Sequence, residues 1–361
     1  MVLLKIGAKA KKLLFFLLFK KCLIAPGWYL KIKWLCFFSR KVRVGFGPIT
    51  TGEDDLAERK WRIDPIIDGI NRRGGKYVAG FFIHPTEMRK FDILIIVKKI
   101  NPEFVAVIER LKGKRFIYDI VDNPNDQEKY RFYFRTLPGF IEQMDGFILS
   151  SPVHRSWTRW LDKPALLIEH PILNSVYKRT YRSESEIRIL AQGYFENLQN
   201  LRWLEPLLPD LSLKVGKPVR LIYHSEEKKV GSEFVQYIQW NVKDCFEIMQ
   251  WADIAITMKD LFKLHQYTKP STKVIAYMAA GLPVICKPTA ADRLVIEDKI
   301  TGFFAYRPED WMHWIQRLAS HEPLRRQVGR AARKSVMQSY SLNHILEKYI
   351  SILDSTWLKE G

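Results

Sequence analysis

Lys269-Pro270-Ser271-Thr272-Lys273-Val274-Ile275-Ala276-Tyr277-Met278-Ala279-Ala280-Gly281-Leu282-Pro283-Val284-Ile285 is the stretch on which the fold turns. It reads as a helix over about Thr272 to Ala280, a stop at Gly281, and a buried strand over Pro283-Val284-Ile285-Cys286. Ser271 or Thr272 can cap that helix, leaving its free N–H groups pointing toward a cleft. A helix N-terminus attracts phosphate through those N–H groups and its dipole. Lys269 and Lys273 add charge beside it, and Ala279, Ala280 and Gly281 let the helix pack closely on the next strand. On chemistry alone the same residues also describe a plain capped helix with two solvated lysines.

The strand–helix rhythm extends both ways from this stretch. Upstream come strands at Ile187 to Ala191, Val219 to Tyr223, Phe234 to Ile238 and Asp253 to Thr257. Helices are expected over about Leu198 to Leu208 and Lys243 to Gln250. Downstream, Gly302 to Tyr306 is a short strand, and helices follow over Pro308 to Ala319, Pro323 to Ser339 and Leu342 to Leu358. The polar run Ser175 to Ser185 reads as a linker. Before it the rhythm repeats, with strands at Val42 to Gly47, Tyr77 to Ile83, Ile93 to Val97, Phe116 to Val121, Phe147 to Ser150 and Ala165 to Ile168. Helical patterns over Leu56 to Asn71 and from Pro102 to Leu111 lie between them. Two parallel-sheet domains result, with ligands bound beyond the carboxyl ends of the strands. The expected division is 1–40, 41–174, linker 175–185, 186–340, and a last helix 341–361 that packs back on the first domain.

The 361 residues suffice for two ordinary domains, and a 47% hydrophobic content excludes a disordered chain. Cys22, Cys36, Cys245 and Cys286 are too few for a disulfide scaffold and lack metal-ligand spacing. The net charge of +19 calls for an anionic partner. Its distribution says which. Met1 to Arg43 holds no acidic residue, and its eleven cations are more than half of the net charge. Leu13 to Phe19, Cys22 to Ala25, Trp28 to Leu30 and Trp34 to Phe38 lie between them. Each apolar run is far shorter than the roughly 20 residues of a spanning helix. Interleaved cations, aromatics and leucines point to an amphipathic segment on an anionic membrane surface. Nucleic acid fits less well, because the charge sits on an aliphatic-rich segment and no zinc, homeodomain or RNP-type motif appears. No specific nucleic-acid partner is expected.

The stretch 269–285 is similar to the donor-site helix of GT-B glycosyltransferases, especially those resembling glycosyltransferase family 4. The likeness continues through Val295-Ile296-Glu297-Asp298-Lys299-Ile300-Thr301-Gly302-Phe303, through Leu324-Arg325-Arg326-Gln327-Val328-Gly329-Arg330-Ala331-Ala332-Arg333, and through Tyr340-Ser341. Phe246 to Thr257 resembles the helix and strand before the donor loop, and Ile168 to Asn174 the crossing between domains. The match covers roughly residues 234–350, while the first domain matches in rhythm only. The resemblance implies a GT-B fold, two Rossmann-like domains facing a central cleft, with a nucleotide-sugar in the second and the acceptor in the first. Carried over residue by residue, donor binding falls to Gly193, Asn197, Lys269, Ser271, Thr272 and Lys273. Gly47, Thr50 and Thr51 fall in the glycine-containing acceptor loop.

The sequence also departs from that family. Ala276 stands where the family usually has a glutamate on the nucleotide ribose, and Tyr267, Thr268 and Lys269 occupy the region of its acidic partner. Only Arg202 follows the loop Gly193 to Asn197, where the family places a basic pair. The resemblance implies that basic groups and a helix terminus, rather than a required metal or another cofactor, stabilise the leaving diphosphate, and Asp54-Asp55, adjacent rather than spaced as a metal motif, agrees with that. An inverting reaction needs a base near the acceptor hydroxyl, for which Asp119, Asp122 and His84 at strand ends are the candidates. Each also has an ordinary structural reading as a cap or turn residue. His154, His170 and His224 stand behind them.

The expectation is a peripheral protein at the cytoplasmic face of the plasma membrane. It would transfer a sugar from a nucleotide-sugar to a lipid-linked or surface polysaccharide acceptor. The rivals are a non-catalytic GT-B partner protein, for which Ala276 argues, and another GT-B enzyme such as a nucleotide-sugar epimerase.

Overall fold

The computed structural model describes residues 41–48, 59–98, 102–121, 139–172, 185–226, 229–241 and 245–357. The basic segment 1–40 and nearly all of the linker lie outside them. Among the described residues there are two parallel sheets of six strands each. The first is built from β1 (Val42–Gly47), β2 (Tyr77–Phe81), β3 (Ile93–Val97), β4 (Arg115–Ile120), β5 (Gly146–Leu149) and β6 (Ala165–Leu167), in the order β2-β1-β3-β4-β5-β6. Strand β3, Ile-Leu-Ile-Ile-Val, is buried along its whole length, as a central parallel strand covered on both faces must be. Helices α1 (Asp64–Arg73) and α2 (Pro102–Ile108) are among the elements that connect these strands.

The second sheet holds β7 (Ile187–Gln192), β8 (Val219–Ser225), β9 (Val235–Gln239), β10 (Ile254–Met258), β11 (Val284–Lys287) and β12 (Phe303–Phe304). Its order is β12-β11-β10-β7-β8-β9. Helices α3 (Leu208–Val215), α4 (Cys245–Trp251) and α5 (Thr272–Ala279) connect its strands, and α6 (Pro308–Ser320), α7 (Glu322–Ser339) and α8 (Leu342–Trp357) close the chain. The single helix expected over Leu198 to Leu208 is instead one turn at Phe195–Leu198, a 3-10 stretch Gln199–Leu207 and then α3. Pro206 and Pro209 cannot donate the bonds that would continue one α-helix through this region. The pattern expected over Leu56 to Asn71 is likewise a π-type turn, Arg59–Ile63, leading into α1. The expected strand Gly302 to Tyr306 shrinks to Phe303–Phe304.

Helix α8 follows the second domain in sequence but packs on the first. Ile345, Tyr349, Ile352 and Leu353 are buried in its core. Asp354 accepts hydrogen bonds from Lys76 Nζ at 3.0 Å and Tyr77 OH at 2.6 Å. The chain therefore crosses between domains twice, and the crossings touch: the Ile172 N–H donates to the Tyr340 carbonyl at 2.8 Å. Across the cleft, the Trp61 ring lies 6.2 Å from Trp240 and 5.7 Å from Phe246. Among the described residues no helix is long and apolar enough to cross a membrane.

Candidate functional site

Topology places the site. In the second sheet the chain builds β8 and β9 on one side of β7, then turns back to lay β10, β11 and β12 on the other. The loops after β7 and β10 leave toward opposite faces and open a crevice beyond the strand ends. The first sheet reverses in the same way between β1 and β3.

Gly193 follows directly on β7 with φ +140°, a conformation that L side chains rarely adopt. A Cβ there would lie 2.0 Å from Lys273 Nζ. Gly193 thus makes room for the amine of α5 over the end of β7, and two residues 80 apart in sequence meet at the switch point. Burial between the cleft walls, and then the like charges of Lys269 and Lys259, lower the Lys273 pKa to about 7, partly opposed by Glu226. The side chain is nonetheless exposed to solvent along the cleft, which screens part of that effect. An anion placed there would meet a group whose charge is costly until it is paired. Glu226 also receives the Phe195 N–H, with both carboxylate oxygens at 3.0 Å, which fixes the turn that carries Asn197.

Two contacts aim α5. The Gln192 N–H at the end of β7 donates to Tyr277 OH at 2.9 Å. On the other side the fully buried Asp292 accepts from Lys259 Nζ at 3.0 Å, Ser271 Oγ at 2.7 Å, and the Thr289 N–H and Oγ1 at 2.9 and 2.8 Å. Ser271 therefore does not cap α5: its hydroxyl is drawn to the buried carboxylate, and the helix has no side-chain cap bond. Thr272 Oγ1 lies 3.1 Å from His170 Nδ1, across the domain boundary. Burial, then Arg62 and Lys98, hold the His170 pKa well below its usual range, so the ring is neutral and shares a hydrogen bond with that hydroxyl, its direction set by the ring tautomer. Of the expected donor residues, Gly193, Lys269, Ser271, Thr272 and Lys273 converge, but two hydroxyls are already occupied.

The first-domain candidates separate. Asp119, on β4, is corrected as a base: it is 1% exposed and locked in a two-pronged ion pair with Arg62, at 2.9 and 2.8 Å. Tyr349 OH of α8 donates to the same carboxylate at 3.4 Å, and Arg62 reaches the Ile168 carbonyl at 3.1 Å. Asp119 ties the turn before α1, the crossing segment and α8 together, which is a positioning role. His84 is exposed, at the start of the 3-10 turn Pro85–Lys90, whose Glu87 accepts the Ile83 and His84 N–H groups. Gly47 ends β1, where a Cβ would meet the Phe82 carbonyl at 2.4 Å. Asp122, Thr50 and Thr51 lie outside the described residues. Asp292, Arg62 and Glu226 were not found from sequence. Arg62 and Glu226 have partners 57 and 31 residues away; Asp292 has a local partner in Thr289, three residues before it, but the Ser271 and Lys259 contacts that tie it to the site lie 21 and 33 residues away.

Two Rossmann-like parallel sheets facing a cleft, with a cationic switch point in the second, define the GT-B fold of glycosyltransferases. Residues 201–351 match the model of a family described as glycosyl transferase-like. Among solved structures, sucrose-phosphate synthase from Thermosynechococcus elongatus aligns with TM-score 0.66 at 10% identity, over 88% of this chain and 99% of that one. HepE from Anabaena, in complex with UDP and glucose, aligns with TM-score 0.62 at 11% identity, over 87% of this chain and all of that one. TarM aligns with TM-score 0.55 at 15% identity over 73% of this chain, which spans only 55% of TarM's length. No curated protein matches in sequence.

Proposed function

We propose that the protein is a glycosyltransferase whose second domain holds a nucleotide-sugar and whose first domain presents the acceptor. The observation that carries this is the Lys273 amine seated over Gly193 at the switch point, beside the start of α5. Lys269 and Lys259 flank it. In the solved complex, HepE holds UDP and glucose, which supports the same ligand class for this fold.

The acceptor hydroxyl oxygen bonds to the anomeric carbon as the bond from that carbon to the diphosphate oxygen breaks. The electron pair leaves with the nucleoside diphosphate, and the hydroxyl proton passes to a base or to the departing phosphate. The new charge on the diphosphate develops beside Lys273 and the free N–H groups of α5, which are fixed in place by Tyr277 and Asp292 before any substrate arrives. These cations carry the charge stabilisation in this reading, without a required metal.

The acceptor is proposed to be a lipid-linked or surface glycan at the cytoplasmic membrane face. The basis is the uninterrupted positive charge and short apolar runs of residues 1–43. A thermal-shift screen against nucleotide-sugars tests the donor. A ligand at 100 times its Kd stabilises by about 2.7 kcal/mol, so a shift with one nucleotide-sugar and not with the others is expected. No shift with any of them, from folded protein, would refute donor binding and favour the non-catalytic GT-B partner, the reading that Ala276 supports.

A further inference from the structure

We propose that the edge of the first sheet opposite the cleft is the surface that docks on an anionic lipid bilayer; this rests on the membrane part of the reading above. The argument starts from strand direction. All six strands of this sheet are parallel, so every segment that precedes a strand lies on one edge. Five of the six segments carry cations: Lys41 before β1, Arg72, Arg73 and Lys76 before β2, Arg89 before β3, Arg110 and Lys112 before β4, and Arg159 before β6, while the segment before β5 holds Glu142 and Asp145 instead. Backbone and side-chain bonds show that the segments adjoin. Lys114 Nζ donates to the Arg89 carbonyl at 3.2 Å, and Lys163 Nζ donates to the Glu142 carbonyl.

The edge carboxylates are partly consumed within it. Asp92 is bound by Arg43 through 2.9 and 2.6 Å bonds, and Asp145 accepts the Phe116 N–H at 2.7 Å. Arg89, Arg110, Lys112 and Arg159 remain exposed, against the exposed Glu109, Glu142 and Asp162. Among them Trp160 is 61% exposed, next to Arg159. An indole beside a guanidinium suits the headgroup layer, where one part of the ring is apolar and its N–H is wet.

The occupant is fixed by where the rest of the chain arrives. Residues 1–40 carry nine cations, no carboxylate and several apolar aromatic runs, and they join the fold at Lys41, on this edge. A lipid-binding segment attached there brings this edge, rather than the cleft, to the bilayer. Strand β1 has six residues and spans roughly 20 Å. With the strands upright, the cleft opens about that far from the headgroups, which favours an acceptor whose reacting hydroxyl is carried off the surface on a glycan.

The test is co-sedimentation of the full chain with phosphatidylcholine vesicles, with and without phosphatidylglycerol, for wild type, Trp160→Ser and the double variant Arg110→Glu/Lys112→Glu. All these positions are exposed, and melting curves check folding. The wild type is expected to bind only the anionic vesicles. The charge reversal should weaken partition at least about tenfold, since each basic side chain near an anionic surface contributes several-fold. Trp160→Ser should weaken it measurably, and the nucleotide-sugar thermal shift should stay unchanged in both. Wild-type partition in the double variant would overturn the docking edge and leave residues 1–40 as the anchor. Absence of wild-type binding to either vesicle would overturn the docking edge and the membrane reading together. The thermal shift then judges the transferase reading separately.

Discussion

The pH dependence of nucleotide-sugar affinity is the sharpest consequence of the proposed donor site. In the free protein, burial and the like charges of Lys269 and Lys259 leave the Lys273 amine with a pKa of about 7. A bound diphosphate supplies the missing counter-charge and raises it toward the ordinary lysine value of roughly 10.4. The protonated form binds, so the sign is fixed: affinity is full below pH 7 and falls as pH rises above it. For complete reversal, linkage gives about a tenfold rise in Kd from pH 6 to pH 8. The amine meets water along the cleft, which screens part of this interaction, so about threefold to tenfold is expected. Titration calorimetry with UDP-glucose suits the measurement, because the diphosphate diester has no ionisation of its own near 7. Lys273→Gln should flatten the profile and bind about tenfold more weakly at pH 6, close to 1.4 kcal/mol. An equal slope in wild type and Lys273→Gln would refute the reasoning, as would a flat wild-type profile with intact binding.

Gly193→Ala should reduce donor affinity about as much as Lys273→Gln, because its Cβ would displace the amine, at a strain of about 1–3 kcal/mol; combining the two should add little further loss in affinity. Arg62→Met should cost about 3–5 kcal/mol in urea unfolding by leaving Asp119 buried and unpaired, and Asp119→Leu in the same chain should recover much of it. Full stability in Arg62→Met would remove that pair from the account. Ile352→Ala, in the fully buried face of α8, should cost about 2–5 kcal/mol, seen as earlier proteolysis within the first domain. Thr272→Val should lower stability by about 1–3 kcal/mol, since it strands the buried His170 ring nitrogen, while changing UDP-glucose affinity less than Lys273→Gln does.

Much of the fold was legible because parallel strands buried on both faces leave a plain signal. Ile93 to Val97 and Val284 to Cys286 are continuous apolar runs between turn residues, and they appear as strands within a residue or so. The final three helices carry their own stops and starts in Pro308, Pro323 and Ser341. What failed was local backbone chemistry inside the apolar pattern. Leu198 to Leu208 has helical periodicity, but Pro206 and Pro209 divide it between 3-10 and α geometry. Strand order was not legible either. Which strand lies beside β7 depends on non-local packing, and that order is what brings Gly193 to Lys273.

The start of α5 shows why reading a site from residue type alone goes only part of the way. Ser271, Thr272 and Lys273 are consecutive and each is suited to phosphate, yet they face three directions. Ser271 turns inward to Asp292, a carboxylate with four donors around it. Thr272 turns to the crossing segment and meets His170. Lys273 alone of the three turns to the switch point. The two hydroxyls have partners that fix the helix end against both the second-domain core and the domain crossing. The amine is held by geometry over Gly193 with its charge poorly compensated. A site arranged this way is rigid before a ligand arrives and has its electrostatic deficit at one atom. That atom is where a diphosphate would gain most, because the packing of α5 holds the amine in place while leaving its counter-charge to be supplied by the ligand.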